Sequence, residues 1–193
     1  MNRFKVLSLL VVVLILTTIV TVEIFAEQST GKPNITIRKL ESQTVLYTIY
    51  RGEYEKIGET IGSLYALAIK NKIWPGGSLS CVYLNNPQYI SGEHCLVEIR
   101  IPVGQEALKL TGTLGELTDV KSINAMEVAV MKKPLGDMDY SSIYRIIYTW
   151  IARNDYRATD NACETFATDT GITDYTKMKS EIMIPVAKIS PQN

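Results

Sequence analysis

Two glutamates recur at one place in a repeated strand pattern, and they set the chemistry open to this chain. Val97-Glu98-Ile99-Arg100-Ile101-Pro102-Val103 returns as Ser180-Glu181-Ile182-Met183-Ile184-Pro185-Val186. The alternation gathers the isoleucines on one face and puts Glu98 and Glu181 on the other. A third carboxylate, Glu164, precedes Phe166 by two residues in another β-rich stretch and would share its face. Tyr50, Tyr83, Trp150 and Phe166 fall on elements that could line a common groove, whereas strand parity puts Tyr47 opposite Tyr50. A carboxylate among aromatic rings attracts cations, and desolvation would raise its pKa toward general acid–base use. By residue type alone, each glutamate is better read as solvated and each aromatic as core. Glu98 has Arg100 two residues on, the pattern of a solvated ion pair. Glu164 and Glu181 together would permit acid–base chemistry, but spacing does not give their separation.

Other chemistries find little support. The 193 residues carry 20 basic and 20 acidic side chains and are 46 % hydrophobic, the balance of a globular protein and not of a nucleic-acid binder. His94 is the sole histidine, so no Cys/His metal spacing exists, and a lone loop histidine is weak support for haem ligation. Cys81, Cys95 and Cys163 allow at most one bridge and read as small hydrophobes. No metal and no cofactor is expected.

The elements that must position these residues come in two copies. Glu98 to Glu181 is an offset of 83, which also carries Ile37, Leu40 and Val45 onto Val120, Ile123 and Val128, Tyr83 onto Phe166, and Asn71 onto Asn154. The repeats span 35–103 and 118–186, joined by a glycine-bearing connector, Gly104–Leu117. In the first, Ile35–Tyr50 reads as one bent strand or two, broken at Glu41-Ser42-Gln43. Tyr54–Lys70 follows as a helix, and Leu79–Leu84 and Cys95–Ile101 as strands. In the second, Val120–Lys132 reads as one long strand, Pro134-Leu135-Gly136 as a turn, Tyr140–Arg153 as a helix, and Ala162–Ala167 and Lys179–Ile184 as strands. The proline in each repeated heptad is expected to end its strand. The fold expected is α+β: duplicated βαββ modules related by a pseudo-twofold, an antiparallel sheet with both helices on one face, and a central cleft on the free face.

Ahead of the repeats, Arg3 and Lys5 precede an uncharged run from Val6 to Val22, followed by Glu23 and Glu27. This is the pattern of a signal peptide or N-terminal membrane anchor over residues 1–26, with a linker at 27–34 and a tail at 187–193. Either form puts the domain on the extracytoplasmic side, membrane-attached through that segment if it is uncleaved.

The order Val45-Leu46-Tyr47-Thr48-Ile49-Tyr50-Arg51-Gly52-Glu53-Tyr54 before a helix, then Val82-Tyr83, then Glu98-Ile99-Arg100-Ile101-Pro102-Val103, resembles the GyrI-like small-molecule-binding family. Tyr148-Thr149-Trp150, Glu164-Thr165-Phe166 and Glu181-Ile182-Met183-Ile184-Pro185-Val186 resemble its second module, so the likeness covers roughly residues 35–186. It implies a cleft for bulky aromatic or cationic compounds, with Glu181 as the main polar contact, so that Glu181→Gln would lower affinity. Glu98, Tyr50, Tyr83, Trp150, Glu164 and Phe166 are the further candidates. Some members resemble hydrolases of reactive electrophiles, which would give Glu181 a catalytic role. A third reading is a structural or partner-binding domain without ligand. The chain carries no DNA-binding module beside this domain, and no nucleic-acid partner is expected.

Overall fold

The computed structural model describes residues 34–86, 89–133, 139–167 and 179–190. The N-terminal apolar run, most of the 27–34 linker and the Pro134-Leu135-Gly136 turn lie outside them. Among the described residues no helix is long and apolar enough to cross a membrane.

Among the described residues nine strands and two α-helices follow the chain in order: β1 (Ile35–Leu40), β2 (Gln43–Arg51), α1 (Ile57–Lys70), β3 (Ser80–Tyr83), β4 (Leu96–Val103), β5 (Thr118–Ile123), β6 (Met126–Lys132), α2 (Tyr140–Arg153), β7 (Tyr156–Ala158), β8 (Cys163–Phe166) and β9 (Ser180–Lys188). They form one antiparallel sheet ordered β1-β6-β9-β8-β3-β4-β2-β5, with β7 pairing β9 beyond β8. That order maps onto itself when β1 is exchanged with β5, β2 with β6, β3 with β8 and β4 with β9. The registers obey the same 83-residue offset. Val82↔Glu98 becomes Thr165↔Glu181, and Thr44↔Val103 becomes Glu127↔Val186.

Local geometry follows it too. Asn71 and Asn154 close the two helices, each side-chain amide donating to the carbonyl four residues back (Leu67 at 2.9 Å, Trp150 at 2.8 Å). The next residues, Lys72 and Asp155, both have positive φ, 57° and 60°. A left-handed residue just past the last turn satisfies otherwise orphaned carbonyls. Asp139 caps the start of α2, accepting from the Ser142 N–H and hydroxyl, each at 2.9 Å.

Several expectations need correction. The long second-repeat strand is two strands, broken at 124–125, because β5 and β6 have different neighbours. β7 was not expected. The first helix opens with a 3-10 turn, Tyr54–Lys56. The prolines do not end their strands, since β4 and β9 run on through Pro102 and Pro185. Both prolines point their missing N–H to the side where only the carbonyl is used: Pro102 accepts from the Gly76 N–H at 2.8 Å and Pro185 from the Thr159 N–H at 2.9 Å. Finally, the modules are not self-contained. β1 pairs β6 of the second repeat and β5 pairs β2 of the first, so each repeat gives its opening strand to the other.

Ile61, Leu64 and Ala68 of α1 pack on Leu46, Cys81, Val97, Ile99 and Ile101. Ile143, Ile147 and Ile151 of α2 pack on Ala129, Met131, Ile182 and Ile184. Cys81 faces α1 and pairs with Glu164; Phe166, on the same face as Glu164, pairs with Ser180, which shares a face with Ile182. Both helices therefore lie on one face of the sheet, each over its own core, and the cores meet at the β3·β8 pair. All three cysteines are free thiols, and Cys81 and Cys163 point to opposite faces.

Candidate functional site

Glu164 stands at the pseudo-twofold itself. Adding the offset to Cys81 gives Glu164, and these two residues face each other across β3·β8. Its side chain is 0 % exposed, on the helix face, where the two cores meet. A buried carboxylate there must be paired and hydrogen-bonded. Four groups meet it. The Tyr83 hydroxyl donates at 2.6 Å, the Ser180 hydroxyl at 2.5 Å and the Tyr140 hydroxyl at 3.1 Å, while the Lys133 ammonium stands 3.4 Å away. Lys133 also donates to the Tyr140 hydroxyl at 2.6 Å and lies 4.5 Å from that ring's centroid.

The electrostatics follow from burial and the carboxylate. Burial, then the charge of Glu164, pushes the Tyr83 phenol well above its usual range, so it stays a donor. Tyr140 is raised for the same two reasons, with Lys133 opposing. Burial works against the charge on Lys133, but the Tyr140 hydrogen bond and Glu164 outweigh it, and its pKa is raised. Tyr144, one turn along α2, is raised by burial and Glu164. Tyr140, Tyr144 and Tyr148 form an i, i+4, i+8 stripe, whose outer members are 42 % exposed. From α1's side, Tyr54 meets Tyr83 edge to face at 5.5 Å between centroids. Among the described residues the Tyr54 hydroxyl is buried without a nitrogen or oxygen partner, a polar neighbour being the Cys95 thiol.

Of the residues singled out in the sequence, the structure brings together Glu164, Tyr83 and Phe166. Tyr50 shares their face and packs on the α1 core, its hydroxyl donating to the Glu53 carbonyl at 2.7 Å. Trp150 lies apart, stacked on Tyr156 at 6.5 Å. Glu98 and Glu181 lie on the opposite face of the sheet. Glu98 is nearly buried there, accepting from Arg100 at 2.5 Å and Lys121 at 2.8 Å, with Lys121 over the Tyr47 ring at 4.3 Å. Glu181 pairs in register with Thr165, the neighbour of Glu164, so the two glutamates point away from each other and form no acid–base pair. The Glu164 centre is therefore on the helix face, and the Glu98 and Glu181 ion pairs are on the free face.

Glu181 instead forms a bidentate pair with Arg38, at 2.7 and 3.2 Å. The Arg38 hydrogen bond holds its carboxyl below the usual carboxylate range, against some desolvation. A folded-state pKa below the unfolded one stabilises above the ordinary carboxylate range and loses that contribution as pH falls through the folded value. The pair is substantially exposed, 45 % for Arg38 and 27 % for Glu181, which limits it to about 0.2–1 kcal/mol. Arg38→Met should cost that much in urea unfolding at pH 7, with the gap to wild type closing as the pH falls below the carboxylate range. A gap that persists in acid with Glu181 protonated would locate the effect outside the ion pair.

Tyr140, Tyr144, Lys133 and Ser180 escaped the sequence reading, though a signal for Lys133 and Ser180 exists. The offset carries Cys81 onto Glu164, Val97 onto Ser180 and Tyr50 onto Lys133, all inward-facing positions. Polar chemistry enters in the second copy where the first is apolar or aromatic, so among the described residues the helix face of a symmetric sheet carries one carboxylate centre and not two.

Residues 33–187 match the family model of the GyrI-like small molecule binding domain. Among solved structures, the EcmrR C-terminal domain superposes with a TM-score of 0.65 at 15 % identity, over 81 % of this chain and 99 % of that one. EcmrR in a DNA complex gives 0.68 at 12 %, over 97 % and 70 %. A hydrolase from Listeria innocua gives 0.57 at 12 %, over 84 % and 96 %. At these identities the likeness is one of fold. No curated protein matches the chain. The family match over most of the chain and the antiparallel sheet agree, and the chain belongs to the GyrI-like small-molecule-binding domain family.

Proposed function

We propose that the chain binds bulky aromatic small molecules bearing positive charge at the Glu164 centre, on the extracytoplasmic side of a membrane to which its N-terminal segment directs it. The observation that carries this reading is a fully buried carboxylate, held by three hydroxyls at the meeting of two cores, beside a tyrosine stripe that runs out to solvent. Glu164 would supply the counter-charge. The half-exposed rings of Tyr140 and Tyr148 would supply flat apolar area and cation–π attraction. The fixed hydroxyls orient the carboxylate and spare the ligand the cost of ordering it. A hydrolase would need a carboxylate oxygen free to take a proton from water, and here both oxygens already accept short bonds. Binding without turnover is the better reading.

The test is direct titration of ethidium, a flat aromatic cation, into the full-length chain in detergent, followed by the dye's own anisotropy. Tryptophan quenching would report poorly, since Trp74 is mostly exposed and Trp150 is stacked on Tyr156. Glu164→Gln should weaken binding by about 30-fold, roughly 2 kcal/mol for a desolvated charge contact. Glu181→Gln, on the other face, should leave it unchanged. The reverse ranking would move the site to the free face of the sheet.

A further inference from the structure

Lys133 meets Glu164 in the manner expected of a ligand's cation. Its ammonium stands beside the carboxylate and 4.5 Å from the Tyr140 ring centroid. Its hold on Glu164 is weak. At 3.4 Å the contact is longer than the 2.7–2.9 Å of a strong charge-assisted bond, and its short bond goes to the Tyr140 hydroxyl at 2.6 Å. The side chain is 20 % exposed, so it has a route to water, whereas the backbone beneath it is fixed by the Lys133 N–H bond to the Ser180 carbonyl at 2.9 Å. The strong hydrogen bonds to Glu164 come from Tyr83 and Ser180 and do not depend on Lys133.

We propose that Lys133 is a tethered competitor that occupies the cation position of the site and must be displaced by an incoming cationic ligand; this rests on the Glu164 site as read above. Lys133 brings the charge of the buried pair to zero, so charge alone offers a ligand little. A small cation gains from Glu164 no more than Lys133 already does. A large aromatic cation adds contact along Tyr140, Tyr144 and Tyr148 and tips the exchange. Lys133 thereby sets a threshold of aromatic area, and the apparent affinity of every cation is its intrinsic affinity multiplied by the fraction of molecules in which the position is free. On the first copy the equivalent residue is Tyr50, so the device belongs to one half of the sheet only.

The experiment compares ethidium anisotropy titrations of the full chain as wild type, Lys133→Met, Lys133→Gln, Lys133→Arg and Glu164→Gln, with urea unfolding run on each to confirm the fold. Lys133→Met should bind roughly tenfold more tightly than wild type. Lys133→Gln, which keeps a polar end without charge, should do the same should the methionine variant fold poorly. Lys133→Arg retains the competitor and should match wild type. Binding lost in Glu164→Gln but unchanged or weakened in both neutral Lys133 variants would overturn this proposal and leave the site in place. Absent binding throughout, or binding indifferent to Glu164→Gln, would overturn the site and the competitor together.

Discussion

Glu164→Leu should lower the unfolding free energy by about 3 kcal/mol. Tyr83 and Ser180 are the reason: each hydroxyl is directed at Glu164 at 2.6 Å or less, and a buried donor left without an acceptor costs about 1–3 kcal/mol. Lys133 contributes little to this cost, because it can turn to solvent. Glu164→Gln keeps a carbonyl acceptor of the same shape and should cost clearly less than leucine, even as it removes the charge. Urea unfolding monitored by far-UV circular dichroism would measure both. A leucine variant within 1 kcal/mol of wild type would mean that water reaches the two hydroxyls, and the picture of a sealed carboxylate would fall.

Ile99→Ala and Ile182→Ala should each cost about 2–5 kcal/mol, the range for truncating a fully buried isoleucine. The two are equivalent under the 83-residue offset, both fully buried, one beneath α1 and the other beneath α2. What matters is the shape of the transition as well as its midpoint. The halves share one sheet through the β3·β8 pair and have exchanged strands at both ends, so damage to either core should bring down both in one urea transition. A biphasic curve in either variant would show two independently folding halves and contradict the coupling that the strand order implies.

Much of the fold was legible because the duplicated heptad carries its own register. The offset of Glu98 to Glu181 orders the strand pairing, the helix-closing asparagines and the backbone turn after each helix. What alternation cannot supply is a neighbour. Nothing in Ile35–Leu40 says that it lies beside Met126–Lys132 and not beside Gln43–Arg51, since either partner would bury the same face. The site was half legible for a related reason. Parity put Glu164 with Phe166, and the structure keeps them on one face. Parity also separates Glu181 from its isoleucines, but it does not say which face holds the ligand. The resemblance favoured Glu181 on the free face, and the strand register puts it on that face, paired with Arg38. The pairing of Thr165 with Glu181 is a tertiary fact, and no count along the sequence yields it.

The reciprocal gift of β1 and β5 gives the chain an assembly logic. A fragment holding one repeat would carry an opening strand with no place in its own sheet and, on β2 or β6, an edge shaped to receive one. Two such fragments would complete each other, each closing the other's open edge, and the natural product of a half-chain is a two-chain particle. In the intact protein the connector makes that encounter intramolecular and fixes which copy brings the glutamate and which the cysteine to the axis. A symmetric pair of identical halves would have to place two carboxylates, or two thiols, face to face at that point. Covalent linkage of unlike halves is what allows a single charge to stand on the axis.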